Sequence, residues 1–324
     1  MFDTTLHQMI LFFLVLCIGF IAAKAGVIKR ETLPSFSKIV VSVLLPALIL
    51  YSTYTGVARE AVLGNLSMLL LAAGFYLLMI AVTYVLARLL GLRGDRGRVF
   101  QLCFIFGNTG FVGTPLLAAV FPQNGMLYMM LFTLVDQLLF WTYGVYLSTA
   151  QGESDHEDGF PAGHSHGPHR HPHRLSWRMF VSPNTVAMAV AFAAVLAAVP
   201  VPQIITDCVG SVAAATPAMC MIYLGALLCY SDWRGALKTR DLYVGIAVKM
   251  VLLPIVLGRL LIWCGAFPLE MVECFTIIAA LPVMTLVPII ASKNGHEGDY
   301  AAGITVATLV VSVITIPFVA WAAF

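Results

Sequence analysis

Charged side chains are what this sequence has least of. Its 18 Lys and Arg and 16 Asp and Glu make up 10% of 324 residues, where a soluble domain carries roughly 25%. So few charges cannot cover a water-exposed surface, which excludes a soluble enzyme, a nucleic-acid-binding protein and a disordered chain. Other absences narrow the classes further. There is no Gly-x-x-x-x-Gly-Lys phosphate loop, so ATP hydrolysis by this chain is not indicated. No Ser/His pair, paired Asp or His-Glu-x-x-His constellation falls within an apolar segment, so neither an enzyme nor a cofactor is implied. The 7 cysteines contain no Cys-x-x-Cys pair and lie within or at the edges of apolar segments. They read as small apolar fillers rather than a disulfide framework.

What remains is apolar. Hydrophobic residues make up 60% of the chain and the mean hydropathy is +0.92, which predicts an all-α integral membrane protein. A membrane helix needs about 20 mostly apolar residues to cross roughly 30 Å of hydrocarbon. Ten such segments are predicted, at 6–25, 35–54, 62–90, 99–121, 125–149, 181–199, 204–229, 242–266, 270–291 and 300–321. They lack strict alternation, so they read as helices and not barrel strands. The first is expected to stay as a span. Asp3 and no basic residue precede it, and it is too long for a signal-peptide core.

Basic residues in short loops give the orientation. Odd-numbered loops carry Lys24, Lys29, Arg30, Arg88, Arg93, Arg96, Arg98, Arg170, Arg174, Arg178, Arg234, Lys238, Arg240 and Lys293, whereas even-numbered loops carry Arg59 alone. The odd loops are therefore expected in the cytoplasm, with both termini outside and a bacterial inner membrane as the location.

The two halves echo each other. Val85-Leu-Ala-Arg88-Leu-Leu90 matches Val256-Leu-Gly-Arg259-Leu-Leu261, Pro46 matches Pro217, and Pro115 matches Pro288, in the same order at nearly one offset. Each half has an odd number of spans, so the second enters the membrane inverted. The expected organisation is a first five-helix repeat at 1–149, a His-rich cytoplasmic linker at 150–180, and a second repeat at 181–324. Inverted repeats with interrupted helices mark secondary transporters, whose sites lie near the midplane. Span 4 holds Asn108, Thr109, Gly110, Gly113, Thr114 and Pro115, and span 9 holds Pro282, Thr285 and Pro288. Glycine costs about 1 kcal/mol and proline about 3 kcal/mol in a helix interior. Both spans are expected to unwind and cross, exposing half-helix N-termini that favour anions; a packing kink is the alternative. Pro46 and Pro217 read as structural kinks.

Asn108-Thr-Gly-Phe-Val-Gly-Thr-Pro115 resembles the Asn-x-Gly-x-x-Gly-x-Pro stretch of the auxin efflux carrier family. Leu44-Leu-Pro46-Ala-Leu resembles its second-helix proline motif, and the stretch from Leu281 to Pro317 its C-terminal signature. The resemblance covers essentially the whole chain. It implies ten helices in two inverted repeats, like the bile-acid symporters and sodium/proton antiporters. Helices 1, 2, 6 and 7 would be the scaffold, and helices 3–5 and 8–10 the moving domain, with a crossover at helices 4 and 9. It also implies a substrate site at Asn108, Pro115 and Pro282 with its neighbours. Members without a long central loop are similar to bacterial carriers of malate, malonate and other small carboxylates.

Two ionisable residues fall deep within spans, Asp136 and Lys249. Such groups cost at least ~2.5–3.5 kcal/mol on insertion scales and are functional candidates by default. They read either as a pair made and broken by substrate or proton movement, or as a static polar brace. Sodium coupling would call for a cluster of Asn, Thr, Ser and carboxylate side chains. Span 9 supplies few, so proton coupling or uniport is favoured. The linker holds His164, His166, His169, His171 and His173, a run able to bind zinc, nickel or copper. This supports a rival reading, a divalent metal-ion transporter whose loop collects cargo. Against it, the spans offer only Asp136 as a carboxylate at mid-membrane depth. The expected partners are an organic anion, a coupled proton more than sodium, membrane lipid, and a second copy through the scaffold helices, with no nucleic acid.

Overall fold

A bilayer offers no hydrogen bonds to backbone N–H and C=O groups, so a chain this apolar must satisfy them within helices. A computed structural model describes residues 2–56, 64–148, 183–197, 199–230, 236–293 and 297–324, and every regular element among them is helical. We label these α1 (Phe2–Lys24), α2 (Arg30–Thr55), α3 (Ser67–Leu89), α4 (Gly94–Ile105), α5 (Thr109–Val120), α6 (Gly125–Ser148), α7 (Pro183–Leu196), α8 (Gln203–Tyr230), α9 (Arg240–Cys264), α10 (Leu269–Ala279), α11 (Val287–Lys293) and α12 (Gly298–Ala323).

Among the described residues 7 helices (α1, α2, α3, α6, α8, α9 and α12) are long and apolar enough to cross a membrane. The other three predicted spans take different forms. The segment at 99–121 is divided between α4 and α5, and that at 270–291 between α10 and α11. The segment at 181–199 contains α7, of 14 residues. α4 also begins earlier than hydropathy suggests, because the polar run from Gly94 to Arg98 continues its helix with Asp95 in the first turn, where the dipole favours an acid.

Proline shapes several helices through the turn that precedes it. It has no N–H, and its ring collides with the carbonyl four residues back. A widened π-type turn moves that carbonyl aside. Such turns cover Val40–Leu44 ahead of Pro46, Thr109–Gly113 ahead of Pro115 and Ile246–Leu252 ahead of Pro254. A fourth, Phe140–Gly144, lies in α6 without a proline. Pro217 and Pro317 instead sit inside the continuous helices α8 and α12.

α1 lies along α8, and α2 packs on α7 and α8. Elsewhere α3 packs on α4 and α6, and α9 and α11 on α12. α1 and α8 approach so closely that a Cβ on Gly19 would lie 2.2 Å from the Ile222 carbonyl oxygen, and one on Gly225 2.0 Å from that of Leu16. Small residues allow such backbone contact, which is how membrane helices gain packing without a hydrophobic drive between them.

Candidate functional site

The two interruptions meet. After α4 ends at Ile105 the chain turns extended at Phe106, and after α10 it leaves helical geometry through Leu281–Leu286. Gly107 and Val283 form an antiparallel bridge. The N–H of Asn108 donates to the Pro282 carbonyl at 2.7 Å, and that of Met284 to the Phe106 carbonyl at 3.2 Å. The Val283 N–H donates to Thr308 Oγ1 at 3.2 Å, from α12. Backbone groups freed by unwinding thus find partners inside the protein, as burial away from water demands.

Asn108 organises the start of α5. Its Oδ1 accepts from the Phe111 N–H at 3.1 Å, an N-cap bond. Its Nδ2 donates to Thr285 Oγ1 at 2.7 Å, joining the two interrupted passages through side chains as well. Thr114 Oγ1 donates to the Thr109 carbonyl at 2.9 Å and stitches the wide turn.

Asp136 is fully buried on α6. Its carboxylate accepts from the Tyr76 hydroxyl of α3, from Thr109 Oγ1 at 3.4 Å and from Gln137 Nε2 at 3.4 Å. Lys249, 2% exposed, donates from α9 to the Leu281 carbonyl. The two residues make no direct ion pair. Each bonds to a different half of the crossing, Asp136 to Thr109 and Lys249 to the Leu281 carbonyl. The spacing of charges along the sequence left a pair open; the structure gives each a separate partner.

Beside the crossing lies a cavity of about 110 Å³. Residues of α2, α6, α7 and the crossing line it. Asn108, Thr109, Gly110, Thr114 and Thr285 all line it. Gly113, Pro115, Pro282 and Pro288 do not. A Cβ on Gly113 would meet Leu281 and Met129, Pro115 lies buried just after the wide turn that opens α5, Pro282 offers its carbonyl to Asn108, and Pro288 lies on α11. The sequence reading missed Thr133, Gln137, Trp141 and five methionines (Met126, Met129, Met130, Met188 and Met284). The signal was there: positions 126, 130, 133, 137 and 141 fall on one face of a helix. Nothing in the sequence says which way that face points. Asn184, on α7, also lines the cavity, and its Oδ1 is buried without a hydrogen-bond partner. Buried polar atoms are normally satisfied, so an orphan next to open space is what a ligand cavity would leave.

A second buried carboxylate was also missed. Asp241, 5% exposed at the start of α9, accepts from the Tyr300 hydroxyl of α12. Arg96 of α4 stands 3.8 Å from Asp241 and 4.4 Å over the Tyr300 ring. The histidines at 164–173 lie outside the described residues, and no group of three His, Cys, Asp or Glu suited to a metal occurs among the described ones.

A multi-pass helical protein whose interrupted helices meet beside a cavity of mostly apolar lining with a few polar side chains belongs to the class of membrane transporters. Compared with known proteins, residues 4–320 match the family described as membrane transport protein. The chain belongs to this family, the auxin efflux carrier family whose motifs it carries. It is similar to an uncharacterized transporter of Methanothermobacter thermautotrophicus, 28% identical over 156 residues, which is 46% of this chain and 48% of that relative. The match therefore spans about half of the relative's length.

Proposed function

We propose that this protein is a secondary transporter of small organic anions, malate- or malonate-like carboxylates or auxin-like acids, working by alternating access about the crossing. The observation that carries this reading is the cavity beside the crossing, lined from α2, α6, α7 and both interrupted passages. In this reading α4 with α5 makes one passage and α10 with α11 another, so that with α7 the chain crosses the membrane ten times. Residues 1–149 and 181–324 are two inverted halves joined by a cytoplasmic linker, with both termini outside a bacterial inner membrane. Helices α1, α2, α7 and α8 are the scaffold, through which two copies associate. The crossing and its neighbours move as one body, since Asn108, Thr285, Asp136 and Lys249 tie them together.

The substrate carboxylate binds at the Asn108-capped start of α5, where the helix dipole favours an anion. Asp136 reaches that turn through Thr109. A proton on Asp136 removes a negative charge beside the anion, so proton and anion travel together. The metal-ion reading rests on the His-rich linker alone.

Proteoliposome uptake with a panel of mono- and dicarboxylates, under imposed proton and then sodium gradients, tests this. At least one carboxylate should enter faster under a proton gradient, with sodium without effect. Asp136→Asn should carry it at a rate indifferent to that gradient. If no carboxylate moves under any gradient, the reading fails.

A further inference from the structure

One carbonyl at the crossing is held by a cation. α10 stops at Ala279, and non-helical backbone follows until α11 begins at Val287. A helix C-terminus carries about half a negative charge. In interrupted membrane helices, such ends and the adjoining unwound carbonyls are where coupling cations are coordinated. Here the carbonyls of Phe106 and Pro282 accept from the backbone N–H groups of Met284 and Asn108. The Leu281 carbonyl accepts from the Lys249 ammonium instead. A Cβ on Gly107 would stand 3.6 Å from Lys249 Nζ, so the ammonium lies just past the end of α4 as well as that of α10. Among the described residues no carboxylate forms an ion pair with it. Asp136 is its mirror image, an anion bonded to Thr109 in the first turn of α5, the positive end of a half-helix. The two buried charges are each matched to broken helix ends of opposite sign.

We propose that Lys249 is the resident cation of the crossing. Its ammonium fills a seat that a monovalent cation would otherwise take, and truncating it opens a monovalent-cation site bounded by the Leu281 carbonyl, Gly107 and the C-terminal end of α10. A lysine is suited to this because its charge is compact and carried on a flexible stem that follows a carbonyl. The seat stands whatever the protein carries. Its consequence, that transport needs no sodium ion at the crossing, rests on the transport reading.

Thermal unfolding of the detergent-purified full chain tests the seat without a transported substrate. Wild type, Lys249→Ala and Lys249→Arg are melted in choline, sodium and methylammonium chloride at about 100 mM, where mass action raises the Tm of a protein that binds the cation. Wild type and Lys249→Arg should melt alike in all three salts. Lys249→Ala should melt lower in choline and regain on the order of 2–4 °C, saturably, in sodium or methylammonium. If Lys249→Ala cannot be purified in choline, its recovery as folded protein in sodium or methylammonium is the same rescue. Failure in all three salts overturns the proposal. So does a saturable, sodium-specific rise in wild type, or a Lys249→Ala melt indifferent to the cation. Rescue in a protein that moves no carboxylate would sink the transport reading and leave the seat standing.

Discussion

At the scale of single residues, Asn108 and Tyr76 make contrasting cases. Asn108 was legible as a residue of the interruption because a polar side chain among glycines in an apolar run stands out. Its amide caps α5 and reaches Thr285 at once. Asn108→Ala should therefore cost roughly 0.5–2 kcal/mol, the usual worth of an N-cap, and should reduce uptake far more than it lowers the melting temperature. Equal uptake by variant and wild type would show that the crossing's side-chain bridge does not serve transport. Tyr76 was not legible. A tyrosine in a membrane helix is ordinary, and its partner Asp136 lies 60 positions away. A hydrogen bond to a charged group contributes about 1.5–3 kcal/mol, so Tyr76→Phe should lower stability by that order. A Tyr76→Phe melt that matches wild type would mean Thr109 and Gln137 suffice for the carboxylate.

At the scale of helices, the interruptions were foreseeable from local chemistry, and so was their position. Gly107, Gly110, Gly113 and Pro115 weaken one passage, Pro282 and Pro288 the other, and the breaks fall within a few residues of each set. The wide turns ahead of Pro46, Pro115 and Pro254 follow from proline's missing N–H in the same way. Helix pairing was not foreseeable. Gly19 and Gly225 look no different in sequence from Gly74, yet a Cβ on Gly225 would lie 2.0 Å from the Leu16 carbonyl oxygen, and one on Gly74 meets nothing within 4 Å. Gly225→Ala should thus destabilise by about 1–3 kcal/mol through overpacking. Gly74→Ala should be neutral or stabilising by about 0.4–1 kcal/mol. Melting curves of the two variants side by side check the contrast, and a Gly225→Ala protein as stable as wild type would count against the close α1–α8 approach. The clasp of Arg96, Asp241 and Tyr300 escaped notice for a similar reason. Each member sits near a predicted span end, where solvated charges are common, and only folding brings α4, α9 and α12 together around a buried carboxylate.

At the scale of the molecule, the proposed arrangement is two inverted halves joined by a cytoplasmic linker, a reading supported by the uneven placement of basic residues and the repeated motifs. That linker carries most of the histidines, and segments between packed units tolerate change in length and composition. Removing residues 153–173 should leave carboxylate uptake within about twofold of wild type. A loss of uptake, or of its response to zinc or nickel, would instead favour the metal-ion reading.

The sequence by itself determined the membrane class, the helical content and the places where helices break. Each of these follows from local composition in a solvent that satisfies no backbone group. Tertiary structure alone decided what the scarce charges do. Asp136 and Lys249 stood out as intramembrane charges whose pairing the sequence left open, and the packed helices gave them different partners. Asp136 meets Tyr76 and the start of α5, and Lys249 meets a carbonyl beyond α10. The distance between groups on separate helices depends on how those helices cross, which no single stretch of chain encodes. Which broken end carries which sign of dipole becomes a constraint only once the ends are brought together.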